Sequence, residues 1–162
     1  MERDARLLRL SREHHHGLVM ALRIERELPG STDAQMRSLY SDLVRFWSAG
    51  LLPHFTAEND CLLARLAQQA DPGLAHAGRL QREHREMEDL VEEMRSAGTS
   101  DDRRVALERF GVRLREHIRW EERDLFNWMQ ASLTPEEMDG VGAYLEAHLP
   151  AVPMPAPTAH DV

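Results

Sequence analysis

Two histidine–glutamate pairs, His54 with Glu58 and His117 with Glu121, share the spacing HxxxE, and a leucine follows each glutamate four residues on, at Leu62 and Leu125. Imidazole nitrogens and carboxylate oxygens are the donors that hold divalent transition metals. On an α-helix, residues four apart stand one above the other, so each pair offers two donors to one point in space. A second pattern, LxxEH, also occurs twice: "LSREH" ends at His14 and "LQREH" ends at His84. The chain reads as two copies of one plan, a helix carrying LxxEH and then a helix carrying HxxxE.

Each donor lies on an apolar stripe. Trp47, Leu51, His54, Glu58 and Leu62 share one helical face, and Phe110, Leu114, His117, Glu121, Leu125 and Trp128 share another. His14 runs with Leu7, Leu10, Leu18 and Ala21, and His84 with Ala77, Leu80, Met87 and Val91. All six donors are expected to point inward. An ionised glutamate in an apolar interior costs on the order of several kcal/mol unless a cation sits beside it, and no lysine or arginine occupies these stripes. Metal ions would supply the missing charge. Without them, two adjacent carboxylates are expected to raise the pKa of at least one of the pair. A lone inward histidine is more often a hydrogen-bonded core residue than a ligand, but six convergent donors reverse that reading. Six are too many for one tetrahedral zinc. They suit two metals, each taking two histidines, with both carboxylates bridging; iron is the expected metal, with manganese or zinc compatible.

Neighbouring candidates divide by helical face. In the run His14, His15, His16, the LxxEH repeat favours His14; His15 lies between faces, either behind a ligand or as the ligand itself, and His16 is expected on the solvent side. Glu88 either adds to the donors or belongs to the acidic outer face with Glu92, and the outer face is favoured. His76, His148 and His160 fall near helix ends or in the tail and receive no role. Cys61 reads as a small buried hydrophobe, and Trp47, Phe55, Trp120 and Phe126 read as core.

The elements that must position these donors are helical. Leucine, alanine, glutamate and arginine dominate the 162 residues while β-branched and aromatic residues are scarce, which predicts an all-α chain. Amphipathic segments cover residues 3–28, 33–70, 73–97 and 101–130, and a short fifth helix follows at 135–148, with Thr134 as its N-cap and Pro135 in its first turn. The first segment places Leu7, Leu10, Leu18, Leu22 and Leu28 on one side. Gly50 and Pro53 predict a kink or bulge in the second segment, beside His54. Residues 1–149 are expected to form one domain, and the proline-rich stretch 150–162 a disordered tail.

Composition also narrows the partners. A net charge of −8 provides no basic footprint for nucleic acid or for an anionic membrane surface. One cysteine rules out an intramolecular disulfide framework and a thiolate-rich metal site. No apolar run reaches the length of a membrane span, and "MERDAR" leads into no signal-peptide core, so a cytoplasmic protein is expected.

The order of one histidine, HxxxE, one histidine and HxxxE, followed by the LF of "EERDLF", resembles the hemerythrin-like HHE cation-binding domains over roughly residues 5–130. The resemblance implies an antiparallel up-down four-helix bundle around a non-haem di-iron centre held by His14, His54, Glu58, His84, His117 and Glu121. Oxygen-carrying members have HxxxH in the third helix and HxxxxD in the fourth, where this chain has His84 with Glu88 and His117 with Glu121. Its four-histidine, two-glutamate set is closer to the bacterial di-iron proteins that repair iron–sulfur clusters, without their cysteine-bearing N-terminal domain. The expected function is the binding or sensing of oxygen, nitric oxide or a related small molecule. The enzymatic alternative is peroxide or nitric oxide turnover, or iron donation to damaged clusters, under oxidative or nitrosative stress. No lysine, serine or tyrosine stands on the inner stripes to serve hydrolysis.

Overall fold

Capping threonines, prolines and glycines set where the helices begin and end. The structure, a computed structural model, describes residues 1–149, and the regular structure among them is all helical. An N-terminal turn, in which the Asp4 carboxylate accepts the Arg6 backbone N–H and the Asp4 carbonyl accepts that of Leu7, delays helix α1 to Leu8–Glu27. The chain leaves α1 through Gly30, whose φ of 70° suits glycine. Helix α2, Asp33–Phe46, starts under a capping box: the Thr32 hydroxyl accepts from the Gln35 N–H, and the Gln35 side chain accepts from the Thr32 N–H.

From α2 the rod continues through a π-turn at Trp47–Leu51, α3 at Leu52–Glu58, a second π-turn at Asn59–Leu63 and α4 at Ala64–Ala67. Pro53 has no N–H, and its ring would press on the carbonyl one turn back. The first π-turn widens the backbone just ahead of it, with the Leu52 N–H reaching the Trp47 carbonyl. This is the irregularity expected from Gly50 and Pro53. Helix α5 spans Gly73–Ser96, and α6, Ser100–Trp120, starts where the Thr99 hydroxyl accepts the Asp102 N–H. A third π-turn, Glu121–Leu125, leads into α7, Phe126–Ser132. Helix α8, Pro135–His148, begins with the expected Thr134 cap, completed by Glu137 as a second capping box. The stretch expected as a disordered tail lies outside the described residues.

Helix α1 lies along α6. Arg3 reaches Glu122 at one end, Arg104 reaches the Leu28 carbonyl at the other, and Gly17 meets Ile118 between them. A Cβ at Gly17 would stand 2.6 Å from Cδ1 of Ile118, so the missing side chain lets α1 close on α6 beside His14 and His117. Helix α5 packs on the other side of α6, where Glu83 takes Arg113 and the Met94 carbonyl takes Arg103. Helix α8 is fastened by Asp139 to Arg6 at 2.7 Å and by Tyr144 to Asp60 at 2.9 Å.

The core forms two apolar clusters, and the candidate donors fall at the boundary between them in each long helical segment. Leu7 and Leu10 precede His14 in one cluster while Met20 and Ile24 follow in the other; Leu80 and Met87 flank His84 in the same way. Phe55 and Cys61 stand on opposite sides of Glu58, and Leu114 and Leu125 on opposite sides of His117 and Glu121. Each fully buried leucine, phenylalanine or methionine contributes roughly 1.5–3 kcal/mol, so the apolar clusters hold a polar layer that would not assemble unaided. Leu22 departs from the expected stripe and is 41 % exposed. The buried line runs through Gly17, Ala21, Ile24 and Leu28, leaving Leu22 one position round the helix.

Candidate metal centre

The helices carry His14 on α1, His54 and Glu58 on α3, His84 on α5, His117 on α6 and Glu121 at the start of the third π-turn. All six are buried, the four histidines at most 3 % exposed and both glutamates 0 %. Their donor atoms form two overlapping groups, His14, His54, Glu58 and Glu121 in one and Glu58, His84, His117 and Glu121 in the other, with the atoms of each group within 4.8 Å of one another.

The two glutamates divide their oxygens between these groups. Oε1 of Glu58 lies 3.0 Å from Nε2 of His54 and 3.6 Å from Nε2 of His14, while its Oε2 lies 3.3 Å from Nε2 of His84. Oε2 of Glu121 lies 2.9 Å from Nε2 of His14, and its Oε1 lies 3.4 Å from Nε2 of His117. The second and third π-turns open at these two positions, following Glu58 and beginning at Glu121. Such widened turns commonly occur at functional sites.

A polar oxygen stands behind every histidine. Nδ1 of His54 meets Glu13 at 2.7 Å, Nδ1 of His117 meets Glu83 at 2.7 Å, Nδ1 of His14 meets Glu122 at 2.6 Å, and Nδ1 of His84 meets Asn59 at 2.7 Å. An ionised carboxylate only accepts, so the Nδ1 facing it carries a proton and Nε2 is turned into the cluster, where its lone pair serves a cation once any proton on it is displaced. This leaves a concentration of unanswered donors. Nε2 of His14 and His54 and all four oxygens of Glu58 and Glu121 have no partner in hydrogen-bonding geometry, and Nε2 of His84 faces Nε2 of His117 at 3.1 Å. Buried polar atoms are ordinarily satisfied. Nitrogen and oxygen lone pairs converging without donors are what cations require, so the residues present fit metal ions.

The family model for the hemerythrin HHE cation binding domain matches residues 6–129. The chain belongs to that family. No curated protein and no solved structure matches it significantly. In this HHE cation binding domain the buried histidine and glutamate groups are where the described residues could hold a metal ion. Phe55 stacks on His84 with ring centroids 4.2 Å apart and Phe126 on His14 at 5.5 Å, so apolar rings wall the HHE cluster on two sides. No helix among the described residues is long and apolar enough to cross a membrane.

The metal-free HHE cluster sets burial against pairing. Burial works to raise the Glu58 pKa, but the charge of His54 and the contacts of His14, His54 and His84 outweigh it and hold the group well below the usual range. Burial likewise opposes charge on His54, yet Glu58 and Glu13 push it up to about 9. His14 is also raised, since Glu121, Glu122 and Glu58 overcome its burial. Pairing His14 and His54 with the neighbouring carboxylates stores protons on those two histidines.

Other expectations sort by exposure. His14 joins the cluster while His15 is exposed, its ring against His16 instead. Glu88 is exposed and on the outer face. His76 sits half-buried between Trp120 and Trp128, His148 is exposed, and His160 lies outside the described residues. Cys61 is fully buried, and its thiol is pushed up to about 12, by burial first and then by the Glu58 charge. Sequence reasoning gave no role to Glu13, Glu83, Asn59 and Glu122. The signal was present: the glutamate of each LxxEH braces the HxxxE histidine of its own copy, and the residue after each HxxxE glutamate braces the LxxEH histidine of the other copy.

Proposed function

We propose that this chain holds two non-haem iron ions and binds or senses a small diatomic ligand, oxygen or nitric oxide, at them. The observation that carries this reading is the division of the Glu58 and Glu121 oxygens between two histidine pairs. Each ion would take two imidazoles, His14 with His54 or His84 with His117, and one oxygen from each bridging carboxylate. Four protein donors fall short of the five or six that iron accepts. Ferrous ions held by these residues would supply electrons and open positions for such a ligand. The protein's own part is to aim the Nε2 lone pairs by holding each Nδ1, to counter the cationic charge with Glu58 and Glu121, and to keep bulk water out with Phe55, Phe126 and the surrounding aliphatic side chains. Manganese or zinc would fit the same donors.

The pairing of residue 3 with 122 and of residue 28 with 104 supports α1 and α6 running in opposite senses, and the alternating order of the two core clusters along successive segments supports an antiparallel up-down four-helix bundle closed by α8. We take residues 1–149 as one cytoplasmic domain. Nothing in its charge favours nucleic acid or a membrane as a partner.

The test is an anaerobic absorption and electron paramagnetic resonance titration of ferrous-loaded protein with nitric oxide, and separately with oxygen. A new ligand-to-metal band, saturating at a fixed ratio of gas to chain and abolished in Glu58→Ala, is expected. Ferrous protein that ignores both gases but surrenders iron to an apo iron–sulfur protein would favour the repair alternative.

A further inference from the structure

The two halves of the cluster are not chemically equal. His14, His54 and His117 each direct the Nδ1 proton at a carboxylate, of Glu122, Glu13 and Glu83 respectively. His84 directs its proton at the neutral amide oxygen of Asn59, 2.7 Å away. Asn59 and Glu122 hold matching places in the two copies of the plan, each directly after a cluster glutamate. One copy therefore carries an amide where the other carries a charge. The second difference lies further out. Glu83 is shared with Arg79 at 2.8 Å and with Arg113 at 3.7 Å, so two cations draw on the carboxylate behind His117. Of the braces on the first half, Glu122 is shared with Arg3 at 2.9 Å.

An anionic acceptor pulls on the Nδ1 proton, makes the imidazole a stronger donor through Nε2 and offsets part of the metal's charge; a neutral amide does each of these less. Both differences act in one direction. The half built on His14 and His54 has two carboxylates behind it, and the half built on His84 and His117 has one carboxylate, shared with two arginines, and one amide. Resting on the two-ion reading above, we propose that the two positions bind metal unequally. The His14–His54 position fills first and empties last, and the His84–His117 position holds the exchangeable ion, with Asn59 as the positioning residue that sets the difference. The site would then combine one retained ion with one that can be lost or handed on.

The experiment is a stepwise anaerobic titration of the metal-free full chain with ferrous ion, followed by calorimetry. Wild type should bind two ions in two steps separated by about tenfold or more in affinity. His84→Ala should remove the weaker step and keep the stronger. Asn59→Asp should strengthen the weaker step about tenfold, drawing the two together, and Glu122→Gln should weaken the stronger step by about 10–100-fold. A gain in Asn59→Asp separates this role from one of mere packing, which a substitution could only leave alone or harm. Two ions taken up in a single unresolved step by wild type, or a weaker step unmoved by Asn59→Asp, overturns the inequality and leaves the two-ion reading standing. Fewer than two ions in wild type overturns both.

Discussion

The carboxylate of Glu13 lies 2.7 Å from Nδ1 of His54, 41 residues further along the chain, and fixes which nitrogen of that ring faces the cluster. Glu83 does the same for His117 across 34 residues. If the proton on Nδ1 is what aims each Nε2, removing either glutamate should loosen metal without unfolding the chain. Glu13→Gln and Glu83→Gln are each expected to cost about 10–100-fold in affinity for one of the two ions. Metal-binding isotherms check this, with circular dichroism reporting the helices; isotherms that match wild type would remove the bracing role.

Substitutions across the histidines and glutamates should fall into three groups by metal content. His14→Ala or His84→Ala opens the donors of one ion and should lower content toward one per chain. Glu58→Ala or Glu121→Ala withdraws an oxygen from both groups and a charge that offsets the cations, and should lower content further. His15→Ala, His16→Ala and His76→Ala should retain full content, because none of these side chains reaches the cluster. Elemental analysis of the purified variants decides it, and loss of metal in His15→Ala with retention in His14→Ala would shift the register of α1 by one residue.

The pH dependence of metal-free protein follows from His54 and Glu58. With its folded pKa raised from 6.5 to about 9, His54 contributes stability that is complete below about pH 6.5 and is lost as pH rises through about 9. Glu58, held well below 4.5, contributes stability present above that value and lost in stronger acid. The metal-free chain should therefore melt at its highest temperature in mild acid, with the melting temperature falling from pH 6.5 to pH 9. Loading with ferrous ion at pH 7 must displace the stored protons and should acidify a weakly buffered solution by about one to two protons per chain. A flat melting profile across this range and no proton release would contradict the pairing described for His54.

Cys61 offers a probe of opening. With its thiol pushed up to about 12, only about one molecule in ten thousand carries a thiolate at pH 8. Aromatic disulfide reagents should react with native protein only as fast as the surrounding helices open, and metal should slow the reaction further. Immediate modification of loaded protein, timed by absorbance, would place the thiol at the surface instead.

Much of this site was legible in sequence because its donors obey helical spacing. His54 with Glu58 and His117 with Glu121 are read by the four-residue rule, and the LxxEH repeat selects His14 over His15. The Thr134 cap was equally plain, since capping chemistry is local. The bracing residues sit at fixed places in the repeats, but which histidine each one meets was not legible, because Glu122 meets His14 across 108 residues, a contact that no periodicity encodes. Pro53 announced the first π-turn, but the one beginning at Glu121 has no proline to mark it. Leu22 was misplaced because a leucine-rich helix offers more apolar positions than its buried face can accept.

Glu58 and Glu121 are proposed to join a pair of ions. Mössbauer spectroscopy of chain loaded with iron-57 under anaerobic conditions, combined with an iron count and followed through oxidation, tests it most directly. About two irons per chain are expected, becoming antiferromagnetically coupled when oxidised, with the coupling lost in both Glu58→Ala and Glu121→Ala. One iron per chain, or two that remain magnetically independent in the oxidised wild type, would contradict it.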